Sequence, residues 1–288
     1  MKSIYKNKEA KKILMGLYEE KLASLNLEYQ EIDIETKFGR TRIIKTGNPN
    51  GKELVFFHGI NAGSPLTLEA VKELGEKYTL YMVDTIGQTT KSAETVLNMK
   101  DNSYAVWANE LLEKLNLSNA NIISISYGAF ISQKLMIHYP NRIGKCIMVV
   151  PSGIVSSYIL PSITKLSFPL IQFMITKKDK YLRKFTKAFV PDGDEFMLKM
   201  QRIMLLDVKM DYTKPFILKA KDIAHFEKPV YIITADNDIF FPNEKIQSTA
   251  PKIFKNLKNI YVLKNTKHMP HPTTFLEIQS KIIEWIEN

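Results

Sequence analysis

Six short apolar runs, most of them separated by helical segments, constrain this chain more than any other feature. Residues 54–57, 78–83, 121–124, 145–150, 230–234 and 259–263 are apolar nearly throughout rather than on alternate positions. A strand with no polar face is a strand covered on both sides. Between most of the runs lie stretches with helical periodicity, at 66–78, 104–115, 127–139, 243–257 and 273–286. Strand and helix in alternation predict a mostly parallel central sheet with helices on both faces, an α/β fold. The chain has 288 residues and is 45% hydrophobic, enough to fill such a core. Disorder and a small disulfide scaffold are thereby excluded, and the lone Cys146 sits inside an apolar run as a small buried hydrophobe.

Two regions depart from the alternation. At the start, residues 9–25 place Ala10, Leu14, Leu17, Leu22 and their neighbours on one helical face. Residues 28–35 and 41–45, joined by the turn Phe38-Gly39-Arg40, then predict an antiparallel hairpin at a sheet edge. Between 151 and 226, three helical stretches (163–176, 180–190 and 195–206) follow one another without a buried strand. The reading is one core in two parts, 1–150 and 227–288, with a helical cap inserted at 151–226. Right-handed crossovers gather the strand ends, and any site, at the carboxyl edge of the sheet. The cap would sit over that edge.

Charge and targeting signals add little. Lys and Arg exceed Asp and Glu by 10, which gives weak attraction to anions and no reason by itself to expect nucleic acid. Charged residues recur up to Lys12, so no secretory signal is visible and a reducing cytoplasm is expected. The uncharged stretch 146–164 is interrupted by Pro151, Gly153 and Pro161 and reads as a buried strand leading into a loop.

Chemistry enters at Ile122-Ile123-Ser124-Ile125-Ser126-Tyr127-Gly128-Ala129, where a buried strand runs into a helix with a serine at the junction. A sharp turn there pushes Ser126 out of the sheet and requires small residues two before and two after it. Gly128 meets that requirement, and Ser124 nearly does where glycine is usual. The bland alternative is a helix N-cap. His58-Gly59 directly follows the run 54–57, where a loop N–H can complete an anion-stabilising pair with the N–H after the serine. The donors would be Tyr127 and Ile60, with Asn61 a close alternative to Ile60. His58 itself reads as structural, and Ser64-Pro65 as the cap and first position of the next helix.

A serine hydroxyl needs an imidazole to take its proton and a carboxylate to orient that imidazole. Of five histidines, His138 should face away, His225 lies near the opposite edge, and His271 sits at the start of the last helix. His268 remains, in the turn after the last strand. The run 230–234 empties into Ala235-Asp236-Asn237-Asp238. A small residue ending such a strand is normally followed three positions later by the acid, which prefers Asp238. Asp236 is left as a turn former.

On these motifs the chain resembles the α/β-hydrolase superfamily, from about Phe38 to Asn288, with Ser126, Asp238 and His268 in that family's order. Asp84-Thr85-Ile86-Gly87 followed by Lys91-Ser92 is a further family-like element that lacks the usual second glycine. The resemblance implies a serine hydrolase of small carboxylic esters that uses an acyl-enzyme and no cofactor or metal. C–C bond hydrolysis, acyl transfer and non-catalytic binding of a small ligand remain as alternatives. Phe168, Phe173, Met174 and Met204 in the cap suit an apolar substrate group, or simply pack the cap on itself. The basic stretch 177–189 reads first as a solvated helix face, with an anionic lipid surface as the lesser alternative. Oligomeric state is not readable from the sequence.

Overall fold

A computed structural model describes residues 3–209, 211, 213 and 215–288. Eight strands form a single sheet in the order β1-β2-β4-β3-β5-β6-β7-β8. The hairpin is β1 (Tyr29–Thr36) and β2 (Gly39–Gly47), and β2 pairs antiparallel with β4 (Thr79–Val83). All remaining pairings are parallel: β3 (Glu53–Phe57) lies between β4 and β5 (Ala120–Ile125), followed by β6 (Ile143–Val149), β7 (Val230–Ala235) and β8 (Leu257–Leu263). The apolar runs became strands because both faces of the sheet are covered. Val55, Phe57 and Ile122 belong to one buried cluster, while Leu54, Phe56 and Ile123 belong to the other.

Helix α1 (Lys8–Ser24) begins where Asn7 Oδ1 accepts the Ala10 N–H at 2.7 Å, a side-chain N-cap. Its inner face serves two layers: Tyr18 and Leu22 join the cluster on one sheet face, and Leu14 and Leu17 join the cap. Helix α2 (Gly63–Val71) starts earlier than the sequence suggests and passes into a 3₁₀ turn at Lys72–Glu76. Ser64 is not its cap. The hydroxyl instead donates to Asp84 Oδ1 at 2.7 Å, because that buried carboxylate needs donors and the helix start lies beside it. Helices α3 (Ser103–Lys114) and α4 (Gly128–His138) bring Trp107 and Phe130 into the cluster on the sheet face of Val55, Phe57 and Ile122.

Between β6 and β7 the described residues form three cap helices, Ile159–Thr176, Asp179–Thr186 and Glu195–Asp207, and a short 3₁₀ turn, Ala220–Ile223. The first contains a π-helical stretch, Ser162–Ser167. An isolated antiparallel bridge, Tyr5 to Val208, ties the end of the third cap helix back to the first residues described. The cap also has a core of its own, with Phe173 and Leu182 fully buried beside Leu198 and Leu205. Phe173 and Met174 therefore pack the cap on itself, and Phe168 is 59% exposed. Of the four apolar cap residues considered for a substrate group, only Met204 reaches the core loops, where the Thr89 hydroxyl donates to its sulfur at 3.8 Å.

Candidate active site

β5 ends at Ile125, and the next residue, Ser126, takes φ +50°, a conformation that an L residue adopts only under local constraint. The constraint is visible. The Ser126 N–H donates to the Val149 carbonyl at 2.9 Å, and its carbonyl accepts from Ala129 and Ser152, both at 3.1 Å. The turn is tight enough that a Cβ on Gly128 would lie 2.1 Å from the Phe57 carbonyl oxygen. Only glycine fits there. Ser124, two residues before, is completely buried with its hydroxymethyl group inside the sheet layer. Burial pushes the Cys146 thiol up to about 12, so it stays protonated and inert.

Ser126 Oγ lies 2.8 Å from His268 Nε2. His268 Nδ1 is 2.8 Å from Asp238 Oδ2. The other carboxylate oxygen, Oδ1, accepts the Phe240 and Phe241 N–H groups at 2.8 and 3.1 Å. Nδ1 facing a carboxylate carries the proton, which leaves Nε2 as the acceptor toward Ser126. The imidazole is also walled by the rings of Phe240 and Phe241, with centroids at 4.9 and 5.4 Å. Asp236, two residues before Asp238, accepts from the Asn265 and Thr266 N–H groups at 2.9 and 3.0 Å. It fastens the turn that carries His268 and does not reach the imidazole.

The other histidines stand apart from this arrangement. His271 caps the short helix Pro272–Thr274, and His225 Nε2 lies 3.1 Å from the Ile137 carbonyl. His58 is completely buried between two loops. Its Nε2 accepts the Thr85 N–H at 2.9 Å, so Nδ1 carries the proton that is shared with the Gly59 carbonyl at 2.6 Å. Burial holds His58 below the ordinary histidine range, against a smaller opposing pull from Asp84. A neutral ring therefore links the loop after β3 to the loop after β4.

That linkage positions the loop bearing Ile60. A Cβ on Gly59 would come within 3.6 Å of Ser126 Cβ, so the loop passes directly beside the serine. The Asn61 N–H donates to Gln88 Oε1 at 2.5 Å, and Asn61 Oδ1 accepts from Thr89 N–H at 3.0 Å. Asp84 binds the same region from below, accepting the Ser64 and Lys91 N–H groups, while the Ser92 hydroxyl donates to its carbonyl. Gln88 and Thr89 were not singled out from sequence, although they occupy the segment where the second glycine is missing. Ile60, Tyr127, Gln88, Met99, Tyr104 and Val208 line a small cleft, which Ser126 itself does not line. Among the described residues no cluster of His, Cys, Asp and Glu could hold a metal ion.

The family model for the alpha/beta hydrolase fold matches residues 53–274, and the chain belongs to that family. It is 19% identical over 264 residues to the carboxylesterase YbfK of Bacillus subtilis, covering 88% of this chain and 86% of that protein. An uncharacterised carboxylesterase, nap, of the same organism is 25% identical over 135 residues, 47% of this chain and 45% of its own length. Among solved structures, the naproxen esterase of Bacillus subtilis superposes with a TM-score of 0.81 at 18% identity, over 95% of this chain and 96% of that one.

Proposed function

We propose that this chain is a serine hydrolase that cleaves a small carboxylic ester through an acyl-enzyme. The observation that carries the reading is the continuous relay from Ser126 Oγ to His268 to Asp238, with both contacts at 2.8 Å. Likeness to the two carboxylesterases supports the substrate class. His268 Nε2 accepts the Ser126 proton as Oγ attacks the ester carbonyl, and Asp238 stabilises the imidazolium that forms. The N–H of Tyr127 and that of Ile60 receive the developing oxyanion. Ile60 is preferred to Asn61 because the Asn61 N–H is already committed to Gln88. The imidazolium then protonates the leaving alcohol, and a water activated by His268 releases the acid.

Residues 151–226 act as the cap that bounds the pocket, and the cleft lined by Ile60, Tyr104 and Met99 takes a compact apolar group. The test is a panel of p-nitrophenyl esters of increasing chain length, with Ser126→Ala as control and fluorophosphonate labelling read by mass spectrometry. Turnover that exceeds the variant, together with a label on Ser126, supports the reading. Equal turnover and an unlabelled serine would leave a ligand-binding protein without catalysis.

A further inference from the structure

The first cap helix, Ile159–Thr176, is long and apolar enough by composition to cross a membrane, yet only 11% of its residues are buried. A core helix of that composition would be covered. Here Ile159, Leu160, Ile163, Phe168, Ile171 and Ile175 are between 52% and 80% exposed. Their spacing includes a step of five residues, from Ile163 to Phe168, which would turn one of them away from the others in a regular α-helix. The π-helical stretch Ser162–Ser167 spans that step, and its wider turn returns Phe168 to the face of Ile163. The result is one continuous outer apolar stripe. The inner side is used differently: Leu166 is buried in the cluster that Phe240 and Met269, the neighbours of His268, pack against.

Cations accompany the stripe: Lys165 lies within the helix and Lys177 caps its end. Residues 151–190 carry seven Lys and Arg and one Asp, a net +6 out of +10 for the whole chain. Arg183 is paired with Glu195 and Lys187 with Asp192. Lys165, Lys177, Lys178, Lys180 and Lys184 are exposed and in no ion pair among the described residues. An apolar stripe bordered by uncompensated lysines is the composition of a helix that lies in a lipid interface with its cations at the headgroups. A second copy of the chain fits poorly, since face-to-face contact would bring the two lysine sets together.

We infer that the outer face of this helix docks on an anionic lipid surface, with the apolar stripe in the acyl boundary and the lysines on the headgroups. This goes beyond the ester-hydrolysis reading and does not depend on it. Contact there would place the cap against the membrane and the sheet away from it. The helix would lie on the bilayer rather than span it, because Leu166 and Phe173 remain in the folded cap.

Cosedimentation of the full chain with phosphatidylglycerol vesicles and with phosphatidylcholine vesicles tests this directly. Binding to the anionic vesicles, weakened by salt and at least tenfold tighter than to neutral ones, is expected. Ile171→Ser/Ile175→Ser should abolish it. Lys177→Glu/Lys178→Glu should weaken it by about thirtyfold or more, taking roughly fivefold per surface lysine. Lys252→Glu/Lys258→Glu, an equal charge change at the amino edge of the sheet, should weaken it far less. All these positions are exposed, and unchanged melting curves keep the comparison sound. No sedimentation with anionic vesicles, equal binding to both lipids, or equal loss in the two charge variants would overturn the inference. So would a concentration-dependent dimer that Ile171→Ser/Ile175→Ser dissolves while vesicles have no effect on the chain.

Discussion

The carboxyl edge of the sheet and the outer face of the cap follow opposite rules. At the edge, Ser126, His268 and Asp238 are locked by backbone and side-chain hydrogen bonds, and Asp238 is 5% exposed. On the cap, the apolar helix Ile159–Thr176 leaves Ile175 77% exposed. The difference separates what must be rigid from what can vary. Side chains held at 2.8 Å by their neighbours tolerate little displacement, whereas an exposed apolar face is constrained by composition alone.

The sharpest way to break this contrast is Ser126→Ala. Loss of kcat on the order of 10⁴- to 10⁶-fold is expected, with no change in melting temperature beyond a degree or two on the scale of a surface substitution. Ester turnover beside thermal unfolding checks it, and activity retained within tenfold would remove the edge as the reactive region. Next in size is the pair of aspartates. Asp238→Asn keeps the acceptor for Phe240 and Phe241 but turns an amide N–H toward Nδ1–H, so a loss of about 10⁴-fold in kcat is expected. Asp236→Ala instead removes an acceptor from two backbone N–H groups and should cost about 2 kcal/mol of stability while the Asp238–His268 contact persists. Similar kinetic losses in both variants would mean that the acid cannot be assigned to one of them.

Within the cap, two phenylalanines five residues apart sharpen the comparison further. Phe173 is completely buried among Leu182, Leu198 and Leu205, so Phe173→Ala should destabilise by about 3–5 kcal/mol in denaturant unfolding. Phe168 is 59% exposed, and Phe168→Ser should change stability by no more than about 0.5 kcal/mol. Equal effects would show that the outer face is packed in solution.

These contrasts also explain how far the sequence could be read. The sheet was legible because strands covered on both faces must be apolar without interruption, as at residues 54–57 and 121–124. That Ser126, Asp238 and His268 lie together was legible because each follows a buried run, where a parallel sheet gathers its loops. Ser64 misled because a serine before a proline looks like a helix cap, whereas the nearby Asp84 carboxylate claims its hydroxyl. The start of the first cap helix was hidden by Pro161, which reads as a breaker but is tolerated in a first turn. Val208 in the cleft carried no signal at all, since its bridge to Tyr5 joins positions too far apart for any local periodicity.

The effect that depends on pH concerns the joint beneath the edge. His58 Nε2 must remain unprotonated to accept the Thr85 N–H, and burial depresses its affinity for a proton. In the unfolded chain the ring titrates near the usual value of about 6.5. As pH falls below that value the unfolded state takes up a proton that the native state refuses, so stability drops. The loss is at most about 1.4 kcal/mol per pH unit and continues down to the depressed native value. Urea unfolding at several pH values between neutrality and about 5, compared with His58→Asn, isolates it. The variant should be less stable at neutral pH and flatter by one proton across that window, because its side chain has nothing to titrate. His138, whose proton affinity burial also lowers, remains in both proteins and cancels in the difference. An unchanged slope would mean that His58 is protonated in the folded chain, and the neutral link between the two loops would have to be redrawn.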